Sequence, residues 1–508
     1  MAKIERTKNA SRNIFFGVIL KAYQILVPFL MRTAMIYLMG VQYLGLNSLF
    51  TSVLQVLNLA ELGVGSAMVY SMYKPIAEDD NTTICALMKL YRTYYRVIGL
   101  VIAVVGCALT PFIPNLIKSD VPAGINIYIL YLLNLGATVL SYWLFAFKNS
   151  ILQAHQRTDV VSKVTLVTST VQYGLQLFVL WIFRNYYLYV IVMLATQALT
   201  NIVTAVCANK LYPQFKPFGD LEKEKRNAIN QKIKDLFTAQ LGYVVNTSVD
   251  SVVISAFLGL VPLAIYNNYF YIMNSISGFL MIIFSSLTAG IGNSLIVESK
   301  EKNFNDLKKL TFIIFWITTV CCCCFLVLYQ PFMMLWVGND LMLSYGIVIT
   351  MTLLFFVQTI RKIWVLVKDA AGIWREDKYR PLITAGANLL MNVISVRYIG
   401  LYGIMLSTII AEAFISVPWL WKNLFKYVLP VDNSKYRVDV FKYSAVCLIC
   451  CFITCFICRC IALKPFPALI IYGVISVVIP NAIMLICYRN LKEFQESALL
   501  VKKMIKRV

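Results

Sequence analysis

The segment TPFIPNLIKSD at residues 110–120 returns as QPFMMLWVGND at residues 330–340, sharing Pro-Phe and a final Asp at an offset of 220 residues. Working outward from this pair, Gly40 and Leu44 match Gly259 and Leu263 at an offset of 219. Glu78, Leu87, Lys89 and Leu90 match Glu298, Leu307, Lys309 and Leu310 at 220, and Lys148 matches Lys368. The matches fall at equivalent points of a hydropathy pattern derived without them, so the chain reads as two related halves.

That pattern is one of membrane spans. The 508 residues are 60% hydrophobic and 14% charged, with a mean hydropathy of +0.73. A span needs about 20 apolar residues to cross roughly 30 Å of hydrocarbon. Fourteen stretches qualify, near 14–38, 44–70, 91–113, 124–147, 161–183, 186–208, 236–258, 263–296, 310–330, 341–367, 381–396, 399–421, 441–461 and 465–487. The first is too long for a cleaved signal peptide and is followed by further spans.

Thirty-nine of the 46 Lys and Arg fall in alternate polar segments, starting with the N-terminus. Only Lys118, Arg184, Arg397, Arg459 and Lys464 lie in the other set, and Lys21 and Arg32 lie inside the first span. Basic flanks remain cytoplasmic during insertion, so the expected topology has both ends inside. The net charge of +22 is scattered over eight cytoplasmic segments, which argues against nucleic-acid binding. The run Lys502, Lys503, Lys506 and Arg507, mixed with apolar residues, reads as an interfacial helix.

The expected fold is an all-α polytopic membrane protein with 14 transmembrane helices. Residues 1–210 form an N-terminal six-helix lobe, 211–235 a cytoplasmic linker, 236–428 a pseudo-symmetric second lobe, and 429–508 two further helices with a basic tail. Six spans per half is even, so both lobes insert in one orientation, as in transporters built from parallel repeats. Most of the 14 cysteines read as small hydrophobes, Cys447 and Cys450 included, since the single histidine, His155, offers no metal partner. Cys458 and Cys460 are the pair to test for oxidation.

Ionisable residues inside the bilayer cost about 2.5–3.5 kcal/mol on insertion scales, so they usually face a partner or a wet cavity. Lys21 and Arg32 are eleven residues apart, which places them within about 20° on one helical face and roughly 16 Å apart along the axis. In the tenth span Gln358, Arg361 and Lys368 share a face. The seventh carries Gln240, Tyr243, Asn246, Thr247, Asp250 and Ser251, and Glu61 and Glu412 are the other deep acids. One reading is that the cations pin helices to Glu61 or Asp250, or that Lys368 snorkels to headgroups. The other is a cavity between the halves lined by Lys21, Arg32, Arg361 and Lys368, taking an anionic, phosphate-bearing guest. Gln24, Tyr243, Asn246, Asn267 and Asn268 could then contact sugar, and Asp250 or Glu61 is the candidate proton or sodium site.

The run YLGLNSLFTSVLQVLNLAELGVGSAMVYSMYKPIAEDD at 43–80 resembles the second-span signature of bacterial polysaccharide-repeat flippases. These are O-antigen, capsule and teichoic-acid exporters of the multidrug/oligosaccharidyl-lipid/polysaccharide superfamily. ALMKLYRTYYRVIG at 86–99 and LTPFIPNLI at 109–117 are similar to the next helix and outer loop of that family. The resemblance implies a flippase, not an enzyme, that moves an undecaprenyl-pyrophosphate-linked oligosaccharide from the inner to the outer leaflet of the bacterial cytoplasmic membrane by alternating access. It implies no cofactor beyond a coupling Na+ or H+, and a polymerase and glycosyltransferases as partners beside membrane lipids. A cation-coupled multidrug exporter of the same superfamily is the main alternative. A membrane glycosyltransferase or polymerase is a weaker one, because only Asp120 and Asp340 supply carboxylates at the outer face.

Overall fold

The computed structural model describes residues 6–61, 63–118, 121–461, 463–491 and 493–496. Some side chains inside helices, those of Gln240, Tyr243, Asn246 and Thr247 among them, lie outside the described residues, as do Asp120 and the basic run at 502–507. Among the described residues there is no strand. Nine helices there are long and apolar enough to cross a membrane, or ten if the pair Ile127–Trp143 and Ala146–Ala154, bent by 46°, is one span. The chain is a multi-pass membrane protein. It divides into two compact units, Met1–Ala264 and Ile265–Val508.

The first unit contains α1 (Arg6–Leu38), α2 (Val41–Leu57), α3 (Val64–Ala77), α4 (Asn81–Leu109), α5 (Ile127–Trp143), α6 (Asn149–Ala154), α7 (Thr158–Ile182), α8 (Tyr186–Leu211) and α9 (Lys223–Phe257). Helix α10 (Leu260–Val297) begins in this unit and continues into the second. The segment 211–235 lies wholly inside the first unit, because α9 packs along α2 and α3. Helix α1 packs on α7, where Tyr23 Oη and Thr170 Oγ1 are 3.0 Å apart. The stretch expected as one span over 44–70 is interrupted. A 3-10 turn at Asn58–Glu61 and a left-handed Gly63 (φ 86°) separate α2 from α3, a backbone that glycine adopts without steric cost.

The second unit contains α11 (Lys300–Val337), α12 (Tyr345–Ala371), α13 (Trp374–Asp377), α14 (Arg380–Ile410), α15 (Val417–Asn423), α16 (Ser434–Cys460) and α17 (Pro465–Tyr488). Helix α14 breaks at Ile399 and Gly400 (φ 56°), where the sequence places the boundary between two spans. Helix α11 is the centre of the unit and packs against α12, α16 and α17. Its buried Thr311 bonds Tyr436 Oη at 2.7 Å, and Trp364 Nε1 donates to the same hydroxyl at 3.0 Å, tying α11, α12 and α16 together. Phe312 and Phe315 pack on Tyr443 with ring centroids 5.6 and 5.5 Å apart. Such close packing and interhelical hydrogen bonding replace the hydrophobic drive that lipid removes.

Two of the matched glycines share a backbone conformation. Gly40 and Gly259 both have positive φ, 110° and 104°, each immediately before a helix, α2 and α10. Lys148 and Lys368, the other matched pair, are both 7% exposed. The Pro-Phe copies differ: Pro111 and Pro114 force a 3-10 helix over Thr110–Leu116, whereas the single Pro331 is absorbed within α11.

Candidate functional site

Helix α1 carries Lys21 and Arg32. It has no Asp or Glu along its length. Lys21 is half-buried, and no carboxylate of a described residue lies within ion-pair distance of its ammonium. Arg32 is half-buried further along the helix, close enough to Tyr189 on α8 to act on its hydroxyl electrostatically. Gln24 is exposed, and Asp250 is buried on α9. Tyr243 and Asn246 lie outside the described side chains.

A second site forms where the α2–α3 stretch breaks. Glu61 ends the 3-10 turn and meets three tyrosines. Tyr95 Oη donates to Glu61 Oε1 at 2.5 Å, and Tyr142 Oη lies 3.0 Å from Oε2. Tyr91 Oη donates to Tyr95 Oη at 2.6 Å, which forms a relay from Tyr91 through Tyr95 to the carboxylate. A cavity of about 430 Å³ opens beside it, with Glu61, Tyr91, Tyr95, Asn149, Gln197 and Asn201 in its wall. A carboxylate held by hydroxyl donors at a polar cavity can take up a proton or bind a small cation. Sequence reading found Glu61 as a deep acid but missed the tyrosines. The available signal was the i, i+4 spacing of Tyr91 and Tyr95 on α4 and the glycine two residues after the acid.

In the second unit the expected substrate cations already have partners. Arg361 Nε lies 2.7 Å from Glu412 Oε2, an ion pair whose N–H does not lie along the N···O line, and Glu412 is 2% exposed. Glu412 sits in a π-helical turn, Ala411–Ser416, just before Pro418. Proline lacks an N–H and its ring clashes with the preceding turn, so the turn widens. Lys368 is bound to Asp369 at 2.6 Å and to Asp377 at 3.3 Å. Arg380 grips the same Asp377 through Nε and Nη2 at 2.8–3.0 Å and donates from Nη1 to Ser416 Oγ at 2.7 Å. Asn423 Nδ2 closes the network onto the Glu376 carbonyl at 3.2 Å. Lys368 therefore neither snorkels nor stands open to a guest. Its charge is neutralised within a buried network that joins α12, α13, α14 and α15.

At the other end of α5–α7, His155 lies against Tyr212 and Phe215, with ring centroids 4.3 and 5.5 Å away. Its Nδ1 is 2.9 Å from the Ile151 carbonyl. A carbonyl only accepts, so Nδ1 carries the proton. Burial pushes this imidazole below its ordinary value, opposed by that hydrogen bond. The thiols expected as hydrophobes behave as such: Cys447 and Cys450 are buried, and Cys323 Sγ lies 3.9 Å from Cys451 Sγ. Cys458 is buried and Cys460 exposed.

No family model matches the chain, and no curated protein sequence matches it. Solved structures do. The arrangement of helices is similar to that of several solved membrane transporters. Among the similar structures is the lipid II flippase MurJ in its inward closed conformation, with a TM-score of 0.67 and 17% identity, covering 94% of this chain and 99% of that one. An inward-facing multidrug resistance MATE transporter of the MOP superfamily aligns with a TM-score of 0.59 and 14% identity, over 84% of this chain and 99% of that one. The MATE transporter VcmN from Vibrio cholerae aligns at 0.56 and 16% identity, over 84% and 99%.

Proposed function

We propose that this protein is a flippase. It carries an undecaprenyl-pyrophosphate-linked oligosaccharide repeat unit from the cytoplasmic to the outer leaflet of the bacterial cytoplasmic membrane by alternating access. The observation that carries this reading is α1: two half-buried cations, Lys21 and Arg32, on a helix with no carboxylate, the lysine without an ion-pair partner among the described residues. A half-buried cation without an anion, as Lys21 is among the described residues, is costly, and a pyrophosphate would neutralise it. The fold similarity to a lipid II flippase supports the same class of cargo. In this reading Arg361 and Lys368 act mainly through the fold, because Glu412, Asp369 and Asp377 already neutralise them. Fourteen spans with both termini cytoplasmic, a polymerase and glycosyltransferases as partners, and sugar contacts at Gln24, Tyr243 and Asn246 belong to the same proposal. Glu61 is the first choice for a proton or sodium site, with Asp250 the second.

The test is reconstitution with a labelled lipid-linked oligosaccharide and an outer-leaflet lectin readout. Lys21→Ala and Arg32→Ala together should abolish appearance of the glycan outside at unchanged protein levels. Normal translocation by the double variant would remove the anion track. A second reading, multidrug export, draws on the acidic cavity at Glu61, which suits an organic cation, and on the similarity to MATE transporters. It predicts that expression in a pump-deficient host raises drug resistance and that Glu61→Gln abolishes the gain.

A further inference from the structure

Four helix ends of the second unit meet at one cavity of about 650 Å³: the C-termini of α11 and α16 and the N-termini of α12 and α17. Its size falls within the roughly 300–1,000 Å³ of small-molecule sites. The walls are largely apolar, with Leu326, Val327, Pro331, Met334, Ile461 and Leu463 among them. The neutral polar groups in the wall already have partners. Gln330 Nε2 donates to the Leu343 carbonyl at 2.7 Å, Tyr472 Oη donates to the Ile461 carbonyl at 2.6 Å, and Tyr345 Oη lies 3.4 Å from Cys455 Sγ. What is left is positive charge. The Arg459 guanidinium stands over the Tyr345 ring at 5.1 Å, and Lys464 is exposed at the rim. Among the described residues no Asp or Glu lines the cavity, and neither cation forms an ion pair.

The charge pattern of the chain makes this pair unusual. Only five of the 46 Lys and Arg fall on the segments expected outside, and two of those five converge here. Insertion selects against cations on that side. Next to the cavity, Phe456 of α16 and Phe466 of α17 are 61% and 67% exposed, so its apolar wall is continuous with a lipid-facing surface. Two cations at the mouth of an apolar cleft fit a phosphate ester that carries hydrocarbon chains.

We propose that this cavity binds the headgroup of an anionic phospholipid of the outer leaflet, with Arg459 and Lys464 on its phosphate and the acyl chains along α16 and α17. The leaflet assignment rests on the topology given under Proposed function; the binding chemistry does not.

The test uses the purified full-length protein in detergent and native mass spectrometry with phosphatidylglycerol, phosphatidylcholine, inorganic phosphate and a polyprenyl monophosphate. Two cations near a lipid phosphate should favour phosphatidylglycerol over phosphatidylcholine by about thirtyfold. Arg459→Gln and Lys464→Gln should each lose part of that preference, and the double variant nearly all of it, with a lipid-free melting curve unchanged from wild type. Equal retention of the two phospholipids by wild type, or an undiminished preference in the double variant, overturns the site. Displacement by millimolar inorganic phosphate overturns a lipid occupant, and tighter binding of the polyprenyl phosphate overturns a phospholipid one. Labelling of Lys464→Cys in intact cells by an impermeant maleimide is expected, and labelling only from the cytoplasmic side overturns the outer-leaflet assignment. None of these measurements involves transport, so failure of the flippase reading leaves them standing, and the reverse.

Discussion

Replacing Asp377 by alanine should destabilise the second unit by about 3–5 kcal/mol, the usual cost of removing one partner from a buried ion pair. The Asp377 side chain is 3% exposed, and the cations it holds, Arg380 and Lys368, are 7% and 9% exposed. On a surface the same contacts would contribute only about 0.2–1 kcal/mol. Here neither cation reaches bulk water without unpacking α12 from α14. Lys368 would keep Asp369 at 2.6 Å, but Arg380 would be left with Ser416 alone. The cost therefore falls mainly on the stranded guanidinium. For a unit of about this length the loss corresponds to a fall in melting temperature on the order of 10 °C, measurable by differential scanning fluorimetry in detergent. Adding Arg380→Met to Asp377→Ala should recover a large part of the loss, because an apolar side chain of similar volume often replaces a buried pair at little cost. A fall below about 2 °C for Asp377→Ala, or no recovery in the double variant, would refute a dry, paired network. The same assay separates fold from transport: Lys368→Ala should lower the melting temperature, whereas Lys21→Ala should leave it nearly unchanged and stop translocation.

Three further outcomes are expected. Tyr95→Phe removes the donor to Glu61 Oε1 and should cost about 1.5–3 kcal/mol in the first unit, read by thermal melting; a neutral result would mean that the carboxylate is fully hydrated. Gly45→Ala should cost about 1–3 kcal/mol, because a Cβ there would collide with the Leu260 carbonyl, which is backbone and cannot rotate away; wild-type melting would refute a close α2–α10 approach. His155 should titrate below 6.5, with its contribution to stability present above that pH and lost as the pH falls from 6.5 through the lower folded value, since only the unfolded chain binds the proton readily in that window. The pH slope should vanish in His155→Phe, and a slope of opposite sign would mean that the ring is solvated.

How far the sequence reached can be judged from particular residues. Gly40 and Gly259 were matched as letters and proved to share a left-handed backbone before a helix, because only glycine takes that conformation freely. The break at Gly400 likewise fell where hydropathy divides two spans. The interruption at Glu61 was not read, since a single acid and a glycine within an apolar run do not distinguish a 3-10 break from a continuous helix. Arg361 and Lys368 were read as lining a cavity because their helical phase brings them together. Phase gives the direction in which a side chain leaves its own helix, but not which helix stands opposite.

The sequence by itself therefore determined what segments do alone in a bilayer: which stretches are apolar enough to form helices, and where glycine frees the backbone beside them. Those outcomes depend on local hydrophobicity and local backbone freedom. Tertiary structure decided the fate of the charges. Glu412 is 51 positions from Arg361, and Tyr142 is 81 positions from Glu61, and only packing brings them within reach. An electrostatic contact acts over a few ångströms of space whatever the separation along the chain, so the same cation on the same helical face is a ligand or a strut according to what folds against it.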